Sequence, residues 1–133
     1  MLKNVSIRYR KRDLKVELWG PPQYWRLDGG EKQRICNGCG PAGALIDYVP
    51  DKCWGVPIHE ACNIHDFMYH IGENTEDKDA ADAMFLQNIN KIIRACTKRK
   101  WLMTLRLHRA YMYYLAVSMY GGPAFWADKT KLT

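Results

Sequence analysis

Apolar and polar residues alternate near the start of the chain. Val5, Ile7 and Tyr9, then Val16 and Leu18, are separated by single polar or charged residues. A period of two predicts short edge strands with one buried face. Gly20-Pro21-Pro22 and Gly29-Gly30 read as breakers. Residues 36–57 hold glycines at 38, 40, 43 and 55 and prolines at 41, 50 and 57. That spacing predicts a long ordered loop, a kind of segment that is usually functional. Beyond it the period changes to that of a helix. Ile58, Ala61, Cys62, His65, Met68 and Tyr69 share one face and predict a helix from near Pro57 to Gly72. Proline is tolerated in the first turn and glycine suits a left-handed cap. Asp82, Phe85, Leu86, Ile89, Ile92 and Ile93 mark a second helix, starting after Asn74 or Thr75. Either residue can cap it, and Glu76 and Asp77 suit the positive end of its dipole. A third helix is predicted over roughly 101–120, closed by Gly121-Gly122-Pro123, with Tyr111, Tyr114, Leu115 and Ser118 as a core-facing run. The expected fold is mainly α with little β: two antiparallel helices, a further C-terminal helix, and one domain over 1–133.

Two positions on these stripes are polar. His65 lies on the core face of the first helix, and Asp82 heads that of the second. A buried carboxylate is costly without a partner. The short turn between the helices predicts antiparallel packing, which would bring Asp82 against His65. A histidine oriented by an acid suits general-base work on water. Asp79, one turn earlier, and Asp77 are the alternative acids. Asp66 follows His65 by about 100° of helix rotation, so it points at whatever covers that flank. The glycine-rich segment 37–43 can turn several carbonyls toward one point, and carbonyls with a carboxylate describe a calcium site.

Composition narrows the classes. At 133 residues and 47% hydrophobic content, the chain can bury one real core. No apolar run approaches the roughly 20 residues of a membrane-spanning helix. The basic N-terminus lacks an apolar core segment and does not read as a signal peptide. A net charge of +6 favours anionic partners, nucleic acid or an anionic membrane. The charge is clustered at Arg8, Arg10, Lys11 and Arg12, and again at Arg94, Lys98, Arg99, Lys100, Arg106 and Arg109; such runs commonly form solvated faces. No recognisable nucleic-acid motif accompanies it, which argues against nucleic acid. Five cysteines leave an odd thiol. Cys36 and Cys39 form a C-x-x-C, but no second one follows, and His59, Cys62, His65 and His70 do not share one helix face, so neither set suits zinc.

The segment Cys62-Asn63-Ile64-His65-Asp66-Phe67-Met68-Tyr69 resembles the C-x-x-H-D-x-x-Y signature of the phospholipase A2 family. Gly38-Cys39-Gly40-Pro41-Ala42-Gly43 resembles that family's calcium loop, with a Gly-Pro step closer to its short viral and bacterial members. Ala81-Asp82-Ala83-Met84-Phe85-Leu86 resembles the A-D-x-x-F segment carrying their second aspartate. The resemblance covers about residues 36–93, and its strength lies in the three motifs occurring in this order. It implies a calcium-dependent hydrolase of the sn-2 ester of glycerophospholipids, releasing a lysophospholipid and a fatty acid. By resemblance, His65 is the general base and Asp82 holds its ring, with Tyr69 bonded to that acid. Asp66 and the carbonyls of Gly38, Gly40 and Ala42 would bind Ca2+, and the Gly40 N–H would help hold the oxyanion. A disulfide Cys39–Cys62 is implied, with Cys36–Cys53 as a candidate second bridge and Cys96 left over. The chain departs from the family in three places. Ala61 replaces one of two consecutive cysteines, Ala42 replaces a loop glycine, and His65 is only 17 residues before Asp82. A second supporting tyrosine could be Tyr111, Tyr113 or Tyr114.

A lipid-acting enzyme must meet an interface. Lys98-Arg99-Lys100-Trp101-Leu102-Met103 is basic with aromatic and apolar neighbours, and Trp19, Tyr24 and Trp25 are further candidates. Such a surface suits anionic phospholipid, and the alternative expectation is that Trp101 and Leu102 are core residues. The competing expectation is a catalytically inactive relative that binds lipid or protein on the same scaffold. A secreted mature form and a viral or phage-associated protein both agree with the sequence, which says nothing about oligomeric state.

Overall fold

The computed structural model describes residues 1–36, 49–127 and 129. Among these the protein is mainly helical. A β-hairpin, β1 (Leu2–Tyr9) and β2 (Arg12–Trp19), precedes two short helices, α1 (Pro22–Trp25) and α2 (Gly29–Ile35). A two-residue ladder, β3 (Lys52–Cys53) with β4 (Val56–Pro57), leads into α3 (His59–Ile71), α4 (Thr75–Cys96), α5 (Lys100–Tyr120) and α6 (Gly122–Trp126).

The alternation at the N-terminus does form strands, longer than edge fragments. β1 and β2 pair antiparallel from Leu2↔Trp19 to Tyr9↔Arg12. Ile7, Val16 and Leu18 are buried, and β2 packs on α4. Asn88 of α4 fixes that contact: its Oδ1 accepts from Trp19 N at 3.0 Å and its Nδ2 donates to Trp19 O at 2.9 Å. An amide can serve a strand's donor and acceptor together, so a polar residue sits in the core without loss.

Gly29 and Gly30 open α2 instead of breaking the chain. Asp28 accepts from Glu31 N at 2.8 Å, and Glu31 Oε1 accepts from Asp28 N. This capping box supplies enough to start a helix on two glycines. Gly72, expected as a left-handed cap, is extended at φ −68° and ψ 150°. The chain leaves α3 there directly toward Asn74, whose Oδ1 caps α4 at Asp77 N, 2.9 Å away.

The link over 72–74 folds α4 back on α3. Contacts pair Tyr69 with Lys78 and His65 with Asp82 and Phe85, as antiparallel helices require. α5 returns along α4 in the same way, with Lys78 at Val117 and Thr97 at Arg106. The buried face of α5 is Arg106, Ala110, Tyr113 and Val117, not the expected run of Tyr111, Tyr114, Leu115 and Ser118. Tyr111 and Ser118 are exposed, and Tyr114 and Leu115 half-buried. Trp101, Leu102, Met103, Leu105 and Leu107 put apolar residues on most of this helix, so its periodicity does not select a face.

Tyr24 is not a surface anchor. It is buried, stacked edge-on to Phe67 at 5.7 Å, and its hydroxyl donates to Glu60 at 2.5 Å. Trp25 and Trp19 are half-buried, and the Trp25 indole N–H lies 3.1 Å from the carbonyls of Met1 and Gly20. Among the described residues no helix is long and apolar enough to cross a membrane.

Candidate active site

α3 and α4 each bury a polar residue on the seam between them. His65 and Asp82 are 2% and 1% exposed. The His65 Nε2 lies 2.8 Å from Asp82 Oδ1, and the Tyr69 hydroxyl donates to the same oxygen at 2.7 Å. The second oxygen, Oδ2, accepts from Lys78 Nζ at 2.8 Å. Lys78 in turn donates to the carbonyls of Val117 and Ser118 near the end of α5, both at 3.3 Å. Each oxygen of the acid therefore has its donors, as a buried carboxylate requires.

Aromatic rings hold the histidine. The His65 ring centroid is 4.2 Å from that of Tyr69 and 4.7 Å from that of Phe85. Tyr69 is itself packed edge-on against Phe125 of α6, at 5.2 Å. Burial drives the His65 imidazole below its ordinary pKa, against the opposing pull of Asp82. Burial alone would raise Asp82, but hydrogen bonds from His65, Lys78 and Tyr69 outweigh it and hold the carboxyl below its ordinary range. Burial, then the Asp82 charge, keeps the Tyr69 phenol protonated. The pair at neutral pH is thus neutral imidazole with ionised carboxylate. A carboxylate only accepts, so Nε2 carries the hydrogen and Nδ1 the lone pair. This arrangement can take a proton at Nδ1.

Of the alternative acids, Asp79 is exposed and Asp77 Oδ2 accepts from Glu73 N at 2.8 Å. Asp82 is the acid that meets His65. Tyr111, Tyr113 and Tyr114 make no described hydrogen bond to it; the remaining oxygen is taken by Lys78. That lysine escaped the sequence reading, although its position four residues before Asp82 places it on the same helix face.

Asp66 is 3% exposed. Its charge is felt at Cys36, where the thiol is pushed up to about 12 by burial and then by Asp66. Asp66 thus lies near Cys36 at the C-terminal end of α2. Gly38, Gly40 and Ala42, and with them the expected calcium loop, lie outside the described residues, as does Cys39. Cys62 is disulfide-bonded. The Cys36–Cys53 bridge is not formed, since Cys36, Cys53 and Cys96 are free thiols. Cys36 ends α2, which packs on α3, whereas the Cys53 thiol sits against α5 and donates to Arg106 O at 3.5 Å. Among the described residues no three His, Cys, Asp or Glu side chains cluster as a metal site. His59 and His70 are exposed, whereas Glu60 is engaged by Tyr24 and by Lys32 at 3.2 Å.

Gly121 closes the site from behind. Its φ of −79° suits any residue, so space is the constraint. A Cβ there would strike the Val117 carbonyl and come within 2.5 Å of the Tyr69 hydroxyl. Gly121→Ala is expected to lower stability by about 1–3 kcal/mol through overpacking. It should also displace the Tyr69 hydroxyl from Asp82. Urea denaturation measures the first effect, and an unchanged midpoint would contradict this packing.

Comparison of the chain with protein-family models, with curated proteins and with solved structures finds no match in any of the three.

Proposed function

We propose that this protein is a calcium-dependent hydrolase of the sn-2 ester of glycerophospholipids, acting at an anionic membrane surface. The observation that carries the reading is the buried His65–Asp82–Tyr69 cluster, combined with the resemblance of its motifs to phospholipase A2. His65 Nδ1 takes the proton of the attacking water. Asp82 keeps the ring in the tautomer that leaves Nδ1 free to do so, and stabilises the imidazolium that forms. Tyr69 and Lys78 hold the carboxylate ionised and in place. Water attacks directly, with no acyl-enzyme.

Asp66 fits a hard cation, because a buried carboxylate with backbone carbonyls makes an all-oxygen donor set. Its expected companions are the carbonyls of Gly38, Gly40 and Ala42. Calcium bound there would supply Lewis-acid polarisation of the ester carbonyl, supported by the Gly40 N–H.

α5 supports a membrane-facing role. Trp101 and Met119 are 61% and 67% exposed, and Leu105 and Met112 are also exposed. Lys98, Arg99 and Lys100 stand beside Trp101, a combination suited to an anionic headgroup layer. Fatty-acid release from phosphatidylglycerol vesicles, with calcium or with a chelator, tests the proposal. Release that needs calcium is expected. Vesicle binding without release at any interface would mean a binding module on this scaffold.

A further inference from the structure

A second polar site lies where the tip of the β1–β2 hairpin meets the corner between α4 and α5. It is a cavity of about 540 Å³, and it shares no lining residue with the His65–Asp82 cluster. Five of its lining residues are cations: Arg10, Arg12, Lys98, Arg99 and Arg106. No acid lines it.

Arg106 is the informative one. It is 4% exposed, and its partners are all neutral. One terminal nitrogen donates to Thr97 Oγ1 at 2.8 Å, the other to Tyr9 OH and Trp54 O at 3.0 Å each. Among the described residues its buried Nε has no hydrogen-bond partner and no carboxylate pairs with it. A buried guanidinium with a spare donor and no counter-charge is unfavourable by itself. Among the described residues nothing supplies its counter-charge, and an anionic ligand at the cavity would.

Two further observations agree. α5 is 21 residues long, and its first turn is at the cavity. No side chain caps it, and no acid stands in that turn. Instead Lys98, Arg99 and Lys100 crowd the positive end of its dipole, the reverse of the usual preference. Free N–H groups at a helix start, surrounded by cations, make an anion site. The hairpin turn is also held in an unfavourable form. Arg10 and Lys11 take positive φ values of 51° and 64°, where Asn-Gly would be expected. Arg10, from this turn, lines the cavity. The Arg10 and Arg106 guanidiniums both lie over the Tyr9 ring, 5.3 Å and 5.6 Å from its centroid.

We propose that this cavity binds a phosphate group carrying two or more negative charges, with Arg106 at its base and Arg12 and Arg99 at its rim. Trp101 and Leu102 supply an apolar wall for the organic part of the ligand. The phosphate can come from a phospholipid headgroup or from a soluble phosphate ester. The cavity shares Lys98, Arg99 and Trp101 with the proposed membrane-facing surface, but the proposal does not depend on ester hydrolysis, because its soluble-pyrophosphate test is binding without a membrane.

Calorimetric titration of the whole chain with pyrophosphate at low salt should show saturable binding at one site. Arg106→Gln removes the base of the site but risks the fold, so the deciding variant is Arg12→Glu/Arg99→Glu, both at exposed positions. It should bind roughly tenfold more weakly or worse, about one 1.4 kcal/mol step. Lys3→Glu/Lys15→Glu, which changes net charge equally at exposed residues outside the cavity, should bind as wild type. Co-sedimentation with phosphatidylcholine vesicles, with and without phosphatidic acid, separates the sources. Retention that requires phosphatidic acid and is lost in the rim variant assigns the headgroup. Pyrophosphate binding without such retention assigns a soluble ester. No saturable binding of either probe, or equal losses in the rim and control variants, overturns the proposal.

Discussion

Asp82→Ala is expected to lower the unfolding free energy by roughly 3–5 kcal/mol, the usual cost of orphaning a buried charge. The Lys78 ammonium would be left in the core with only the Val117 and Ser118 carbonyls, and the His65 N–H and Tyr69 hydroxyl would lose their acceptor. Lys78→Met is destabilising for the mirror-image reason, since it leaves the carboxylate without its cation. The two changes are not independent. In Lys78→Met/Asp82→Asn the neutral amide oxygen still accepts from His65 and Tyr69, and no charge needs a partner. That double variant should recover much of either loss, with a coupling energy of about 0.5–3 kcal/mol. Urea denaturation of wild type, Lys78→Met, Asp82→Asn and the double variant gives the cycle. Simple additivity would mean that Lys78 and Asp82 do not act as a pair.

His65→Gln is expected to abolish most turnover, by about 10²–10⁴-fold if its role is general base. Glutamine fills much of the same space and can still donate to Asp82, but it offers no basic nitrogen. Calcium affinity should survive in this variant, because His65 is not among the proposed ligands. Asp66→Asn should lose calcium binding and turnover together. The comparison separates base from ligand: release from phosphatidylglycerol vesicles reports turnover, and calcium titration by calorimetry reports the metal. If His65→Gln kept full turnover, the mechanism would be wrong whatever the fate of calcium.

The bounds of α3 and the start of α4 were legible to within about two residues. Their apolar stripes are clean, and helices with one apolar face have one way to pack across a three-residue link. His65 and Asp82 were legible for the same reason, as polar residues at positions that periodicity assigns to the core. α5 was not legible in phase, because apolar residues lie on most of its faces and only its neighbours choose among them. Gly29-Gly30 misled because a glycine pair signals a break unless a cap outweighs it, as the Asp28–Glu31 box does here.

Lys78 and Arg106 show the limit most directly. In sequence each is one cation among twenty, and a cation on a helix is ordinarily solvated. The tertiary fold buries Lys78 by laying α5 across the start of α4, and buries Arg106 by closing the hairpin tip and β3–β4 against α5. By itself the sequence determined the helical seam, the polar pair on it and the motif order, since those depend on spacing along one or two helices. Only the tertiary structure decided which cations lose their water and what faces them. Desolvation is a property of the whole packed assembly and leaves no periodic trace in the chain.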